Sequence, residues 1–151
     1  MTQDAPPAGS LVLVVRKVIR STPDRLFQAW TEPERLKLWW GPQGVTCTLA
    51  EVDLTVGGRY RIANRLPDGN IVWIAGAFEV IDRPGKLVYT WQVGGEAAPV
   101  ERVTVKFQAR GVDTEVIVTH ERIANPTARD QHELGWIGCL DGLAEHLEAP
   151  W

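Results

Sequence analysis

Two histidines carry the clearest potential for chemistry in this chain. His120 stands on an alternating row with Val116 and Val118, and His132 falls one helical turn before Trp136. An imidazole beside an apolar cavity can donate a proton or hydrogen-bond a ligand carbonyl, although a core histidine satisfied by a backbone group is the commoner arrangement. Neither has a Ser or Cys at motif spacing, so a nucleophilic triad has no support. The run Trp39-Trp40-Gly41-Pro42 either grips an apolar ligand or anchors the core before a Gly-Pro stop, and the second is the commoner role. Cys139 and His146 lack a third ligand at regular spacing, which argues against a structural metal, and the residues call for no cofactor. Arg59, Arg61 and Arg65 alternate along one segment, and Glu51 and Asp53 along the one before it. Cross-strand pairing on a solvated face accounts for these charges.

The elements that must position these residues are legible from pattern. Asn125 is a good N-cap and Pro126 suits the first helical position, so a helix is predicted from there to Glu148. Trp136, Ile137, Leu140, Leu143, Ala144 and Leu147 recur on it at helical spacing and form one apolar arc. Gly135, Gly138 and Gly142 make a separate stripe, each costing roughly 1 kcal/mol against alanine. Such a stripe either is tolerated on a solvated face or invites close approach, by a short helix of the same chain or by a second copy in a homodimer. Arg129 and Glu133 make the start of the apolar side polar, which is most often just a hydrated first turn, although in a sheet-wrapped helix it also lies near one end of any cavity.

Ahead of that helix the chain alternates like strand. Ser10–Arg20 reads as the first strand, and two short helices follow, opened by Thr22-Pro23 and by Pro33. Six strands then succeed one another: Thr46–Val56, Gly58–Leu66, Ile71–Ile81, Lys86–Gln92, Val100–Arg110 and Glu115–Glu121. Gly- and Pro-bearing turns separate them, which implies an antiparallel meander. A seven-stranded sheet of this kind twists, curls and wraps the terminal helix on its concave side. Val103, Phe107 and Ala109 then share one side of their strand, while Trp73 and Trp91 head two further rows. A curved sheet and one helix seldom fill the space between them, so a cavity is expected.

Composition bounds what such a domain does. The 151 residues are 44% hydrophobic with a net charge of −3, which suits one domain spanning 10–151 after a Pro/Ala-rich tail, 1–9, expected to be disordered. With no basic run, nucleic acid is not an expected partner. No segment reaches membrane-spanning length, the first residues lack a signal peptide's basic region, and the two cysteines form no disulfide framework. A cytoplasmic location is expected.

The residues also carry a resemblance. Ala29-Trp30-Thr31-Glu32-Pro33-Glu34-Arg35-Leu36 followed by Trp39-Trp40-Gly41-Pro42 is similar to the signature of the activator-of-heat-shock-ATPase homologue family. Val52-Asp53-Leu54 with Gly57-Gly58-Arg59, Pro67-Asp68-Gly69, Leu87-Val88-Tyr89-Thr90-Trp91, Thr119-His120, and His132 with Gly135-Trp136 extend the match. The resemblance implies an α+β fold of the START-like (SRPBCC) superfamily, the helix-grip fold of the birch-pollen allergen. It also implies a deep pocket between sheet and helix, and brings no agreed catalytic residues.

Three roles follow. The favoured one is a binding module that holds a small apolar or amphipathic molecule, its cavity lined by Trp40, Trp73, Trp91 and Phe107. His120, His132, Trp136 and Leu140 would complete the lining. The superfamily's polyketide cyclases offer an enzyme reading, for which the residues supply no catalytic constellation beyond two separated histidines. The family name offers a chaperone ATPase as partner.

Overall fold

The structure, a computed structural model, describes residues 9–41, 44–95 and 97–148. Most of the expected tail, and Pro42 of the double-tryptophan motif, lie outside these residues. The order is β1 (Leu11–Ile19), α1 (Pro23–Thr31), α2 (Pro33–Trp39), β2 (Thr46–Val52), β3 (Arg59–Arg65), β4 (Ile71–Asp82), β5 (Lys86–Val93), β6 (Glu101–Arg110), β7 (Asp113–Ile123) and α3 (Pro126–Glu148). The strands form one seven-stranded sheet in the order β1-β7-β6-β5-β4-β3-β2, with every pairing antiparallel. Register shifts between Leu11 and Leu13, Cys47 and Leu49, and Phe78 and Val80 add local twist to the curl. This is the helix-grip architecture.

The helix starts are set by the predicted caps. The Thr22 hydroxyl accepts from the Arg25 amide at 3.2 Å, and the Asn125 side chain accepts from the Ala128 amide at 2.8 Å. Trp136, Leu140, Leu143 and Leu147 are buried on α3, which packs across β1 and β7. Ile137 departs from expectation: it is 45% exposed, because it sits about 100° around the helix from Trp136, at the edge of the arc. The polar start of α3 is tied to the sheet edge, with Arg129 donating to the Val12 carbonyl at 3.2 Å.

Aromatic rings fill much of the concave side. Trp30 stacks on Trp136 with ring centres 6.0 Å apart, and Trp40 meets Trp136 edge-on at 5.5 Å. Phe107 packs against Phe27 and Trp30 deep in the core. The outer face carries charge pairs, including Arg61 on Glu51 at 2.8 Å and Arg102 on Glu79 at 2.8 Å. The Arg61–Glu51 pair joins neighbouring strands β3 and β2 as the alternation implied, whereas Arg102 reaches Glu79 across the intervening β5.

The glycine stripe divides. A side chain at Gly142 would come within 2.9 Å of the Trp39 carbonyl oxygen, so α2 makes the close approach and no second copy is required to explain it. Gly135 meets nothing within 4 Å among the described residues. Gly142→Ala is therefore expected to destabilise the domain by about 1–3 kcal/mol, since backbone must move. Gly135→Ala should instead stabilise it by roughly 0.5–1 kcal/mol. Denaturant midpoints check both; equal effects of like sign would mean that α2 does not press on α3.

Candidate functional site

β6 and β7 bring Glu101 and His120 onto the concave side near the first half of α3. Glu101 continues the inward row of Val103, Val105 and Phe107, and Val103 pairs with His120 across the strands. From α3, His132 reaches the same carboxylate. His120 Nε2 lies 2.7 Å and His132 Nε2 3.1 Å from Glu101 Oε1. On its other nitrogen, Nδ1, His120 accepts the indole N–H of Trp136 at 3.0 Å. The two imidazoles stack with centres 4.4 Å apart and planes at 19°.

These contacts determine where protons sit. An indole N–H only donates, so His120 Nδ1 is an acceptor and its Nε2 carries the proton given to Glu101. Burial holds the His120 pKa below its ordinary value, so the ring is neutral despite the carboxylate. For Glu101, burial works to raise the pKa, but hydrogen bonds from His120 and His132 outweigh it and bring it to about 2. The cluster is thus a carboxylate accepting from two histidines.

By distance alone, Glu101, His120 and His132 are also grouped closely enough to hold a cation. The Trp136 bond argues against it. A metal on His120 Nε2 needs the proton moved to Nδ1, where Trp136 already donates.

Of the other expected site residues, Trp40, Trp91, His132 and Trp136 come together around a cavity of ≈ 100 Å³ between β3–β5 and α3. Asn64, Ile74 and Cys139 also line it. Burial pushes the Cys139 thiol up to about 12, so it is no nucleophile. Trp73 is corrected: it is 39% exposed on the outer face beneath the Arg61 guanidinium, 5.0 Å from its ring centre. Phe107, Leu140 and His120 are buried but line neither cavity described here. A second space, lined by Trp30, Tyr60, Phe78 and Tyr89 among others, measures ≈ 20 Å³, room for about one water. The deep apolar pocket expected there is taken up by ring packing.

Polar bookkeeping separates the tryptophans. Trp30 donates to the Tyr89 hydroxyl at 3.2 Å, Trp39 to the Ala29 carbonyl at 2.8 Å, and Trp136 to His120. Trp40 Nε1, Trp91 Nε1 and Asn64 Oδ1 are buried with no partner among the described residues. All three belong to residues lining the ≈ 100 Å³ cavity. Sequence reasoning missed Asn64 and Glu101; the signal for each was a polar residue on an otherwise apolar inward row.

Residues 20–148 match the family model described as "Activator of Hsp90 ATPase homolog 1-like protein". The chain belongs to this family. Among solved structures, a Chromobacterium violaceum protein superposes with a TM-score of 0.84 at 22% identity, over 92% of this chain and 98% of that one. A Nitrosomonas europaea protein gives 0.80 at 25%, over 91% and 94%. A Plasmodium falciparum protein described as an Hsp90 activator gives 0.72 at 26%, over 92% and 97%. No curated protein matches significantly. No described helix is long and apolar enough to cross a membrane.

Two expectations follow from the cluster. Folded Glu101 stays ionised down to about pH 2, whereas an unfolded one binds a proton near 4.5, so its stabilisation is present above about pH 4.5 and lost on going down to about 2. His120 adds a loss that begins below about 6.5, where only the unfolded chain gains charge. Urea midpoints should fall with pH through both windows, and Glu101→Gln should flatten the lower one; an unchanged slope there overturns the assignment. Added Zn²⁺ or Co²⁺ should leave the melting temperature unchanged, and a rise of several degrees would show that the Trp136 bond yields to metal.

Proposed function

We propose that the domain binds a small molecule, apolar in part and carrying both a hydrogen-bond acceptor and a donor, in the cavity between β3–β5 and α3. The observation that carries this is the set of three unpartnered buried polar atoms on Trp40, Trp91 and Asn64. Each such group costs roughly 1–3 kcal/mol when unpaired, a large share of a net stability of about 5–15 kcal/mol. A ligand that seats among these rings and carries matching polar atoms offers them the partners that the closed packing withholds. The indole faces of Trp40 and Trp91 and the Ile74 side chain supply the apolar contact.

The size limits the occupant. A cavity of ≈ 100 Å³ is smaller than the roughly 150 Å³ that holds benzene, so only a fragment of a larger ligand is enclosed. Native mass spectrometry of the purified protein should reveal a retained small molecule, and tryptophan emission should respond to small amphipathic probes. Trp91→Phe deletes one unpaired donor. It is expected to weaken probe binding about tenfold while leaving the melting temperature equal or higher. Unaltered probe affinity in both Trp91→Phe and Trp40→Phe would sink the proposal.

A second reading rests on kinship: the Plasmodium falciparum relative is described as an Hsp90 activator. On that reading this chain stimulates a chaperone ATPase, and severalfold faster ATP hydrolysis by an Hsp90-type chaperone at equimolar protein supports it. An unchanged rate rejects it. Both cysteines are free and buried, in keeping with a cytoplasmic setting for either role.

A further inference from the structure

We propose that the outer face of the sheet holds a separate site, a hollow floored by Ala75 and walled by Trp73, Arg59 and Arg61, that binds a small aromatic carboxylate. It does not depend on the cavity beside α3.

Strand register builds the hollow. Arg61 on β3 and Gln92 on β5 stand opposite Ala75 on β4, and Arg59 stands opposite Ala77. Trp73 precedes Ala75 by two residues on the same strand. Residues opposite one another, or two apart along a strand, share a face of the sheet. The short Ala75 is therefore ringed by long side chains, which leaves a space of ≈ 360 Å³ lined by Arg59, Arg61, Trp73, Ala75 and Gln92 among others. That volume lies within the roughly 300–1,000 Å³ usual for small-molecule sites, unlike the ≈ 100 Å³ beside α3.

The walls differ in what they have left to offer. Trp73 is the one exposed tryptophan among the described residues, so part of its indole surface is open to a ligand. The Arg61 guanidinium lies over that indole, 5.0 Å from the ring centre, and Glu51 holds it there through contacts of 2.8 and 3.2 Å. Arg61 is thus committed, its charge met by a carboxylate and its plane by a ring. Elsewhere on the outer face Arg16, Arg102 and Arg110 are each paired with a glutamate. Arg59 and Arg65 are exposed and pair with no acidic group among the described residues, and of these two Arg59 lines the hollow. Two arginines and one glutamate around the hollow leave one positive charge unmatched.

What is left over defines the ligand. An exposed indole offers an apolar aromatic surface, which a second ring covers by offset stacking or edge contact. With only the Ala75 methyl group beneath, a flat ring settles without displacing a side chain. A free guanidinium presents a planar fork of N–H donors that matches the two oxygens of a carboxylate. One unmatched charge suits a monoanion. A phosphate monoester fits less well, since its charge approaches two near neutral pH and meets Glu51 on the same wall.

Isothermal titration of the full-length protein with naphthoate, and with naphthamide as its neutral counterpart, tests this. The cavity beside α3 is too small to enclose a naphthalene ring, so the probe separates the two sites. The carboxylate should bind at least about tenfold tighter than the amide. Arg59→Gln should weaken naphthoate about tenfold and abolish that preference, while Trp73→Leu should weaken both compounds about tenfold. Both side chains are exposed, so both variants should keep the wild-type melting temperature. Arg65→Gln, on the same strand but outside the hollow, should bind like the wild type. Undiminished affinity in Arg59→Gln or in Trp73→Leu would overturn the site. Equal affinity for acid and amide, or an equal loss in Arg65→Gln and Arg59→Gln, would overturn carboxylate recognition in favour of a bare apolar contact or diffuse charge. Displacement of naphthoate by inorganic phosphate at concentrations where chloride has no effect would overturn the ligand class.

Discussion

The hydrogen bond from the Trp136 indole to His120 Nδ1 is the constraint on which the site depends. It joins the long helix to the floor of the sheet at a buried point, 3.0 Å between heavy atoms. By making Nδ1 an acceptor it places the remaining proton of His120 on Nε2, and that proton commits one contact of Glu101. His132 takes another. The same indole stacks on Trp30 and meets Trp40 edge-on, so its position is set by the core as well as by the polar bond. One side chain thus couples packing to proton bookkeeping, and the coupling leaves His132 as the histidine with a nitrogen to spare.

The aromatic filling explains why the cavity is where it is. Trp30, Tyr60, Phe78 and Tyr89 close the middle of the grip to ≈ 20 Å³. Beside them a space of ≈ 100 Å³ persists between β3–β5 and the first half of α3, where Asn64, Gln131 and His132 make the lining mixed. Trp40 and Trp91 line it, and their indole nitrogens are buried without a partner among the described residues. Their unpaired N–H groups stand out because the neighbouring Trp30, Trp39 and Trp136 are all satisfied. Local inconsistency of this kind is more often found at functional sites than in plain core.

Family membership and site chemistry speak to different questions here. The helix-grip frame is shared with relatives at 22–26% identity, and at that distance a frame says little about what it holds.

Much of the fold was legible in the chain itself. Asn125-Pro126 and Thr22-Pro23 name helix starts through backbone groups a few residues away, and the turn residues between strands act just as locally. Gly142 signalled a close approach, although its neighbour, the Trp39 carbonyl, came from another element. Alternation decided less. Around Trp73 both parities of β4 are apolar, so nothing local says which face turns inward, and a shift of one residue exchanges the faces. Tertiary structure put Trp73 outside with Arg61 and Trp91 inside. It also decided the Glu101 cluster, because a carboxylate on β6, an imidazole on β7 and another on α3 meet only through strand register and helix placement. Short-range sterics and capping are written in neighbouring residues; which polar groups are buried together depends on contacts between residues far apart in the chain.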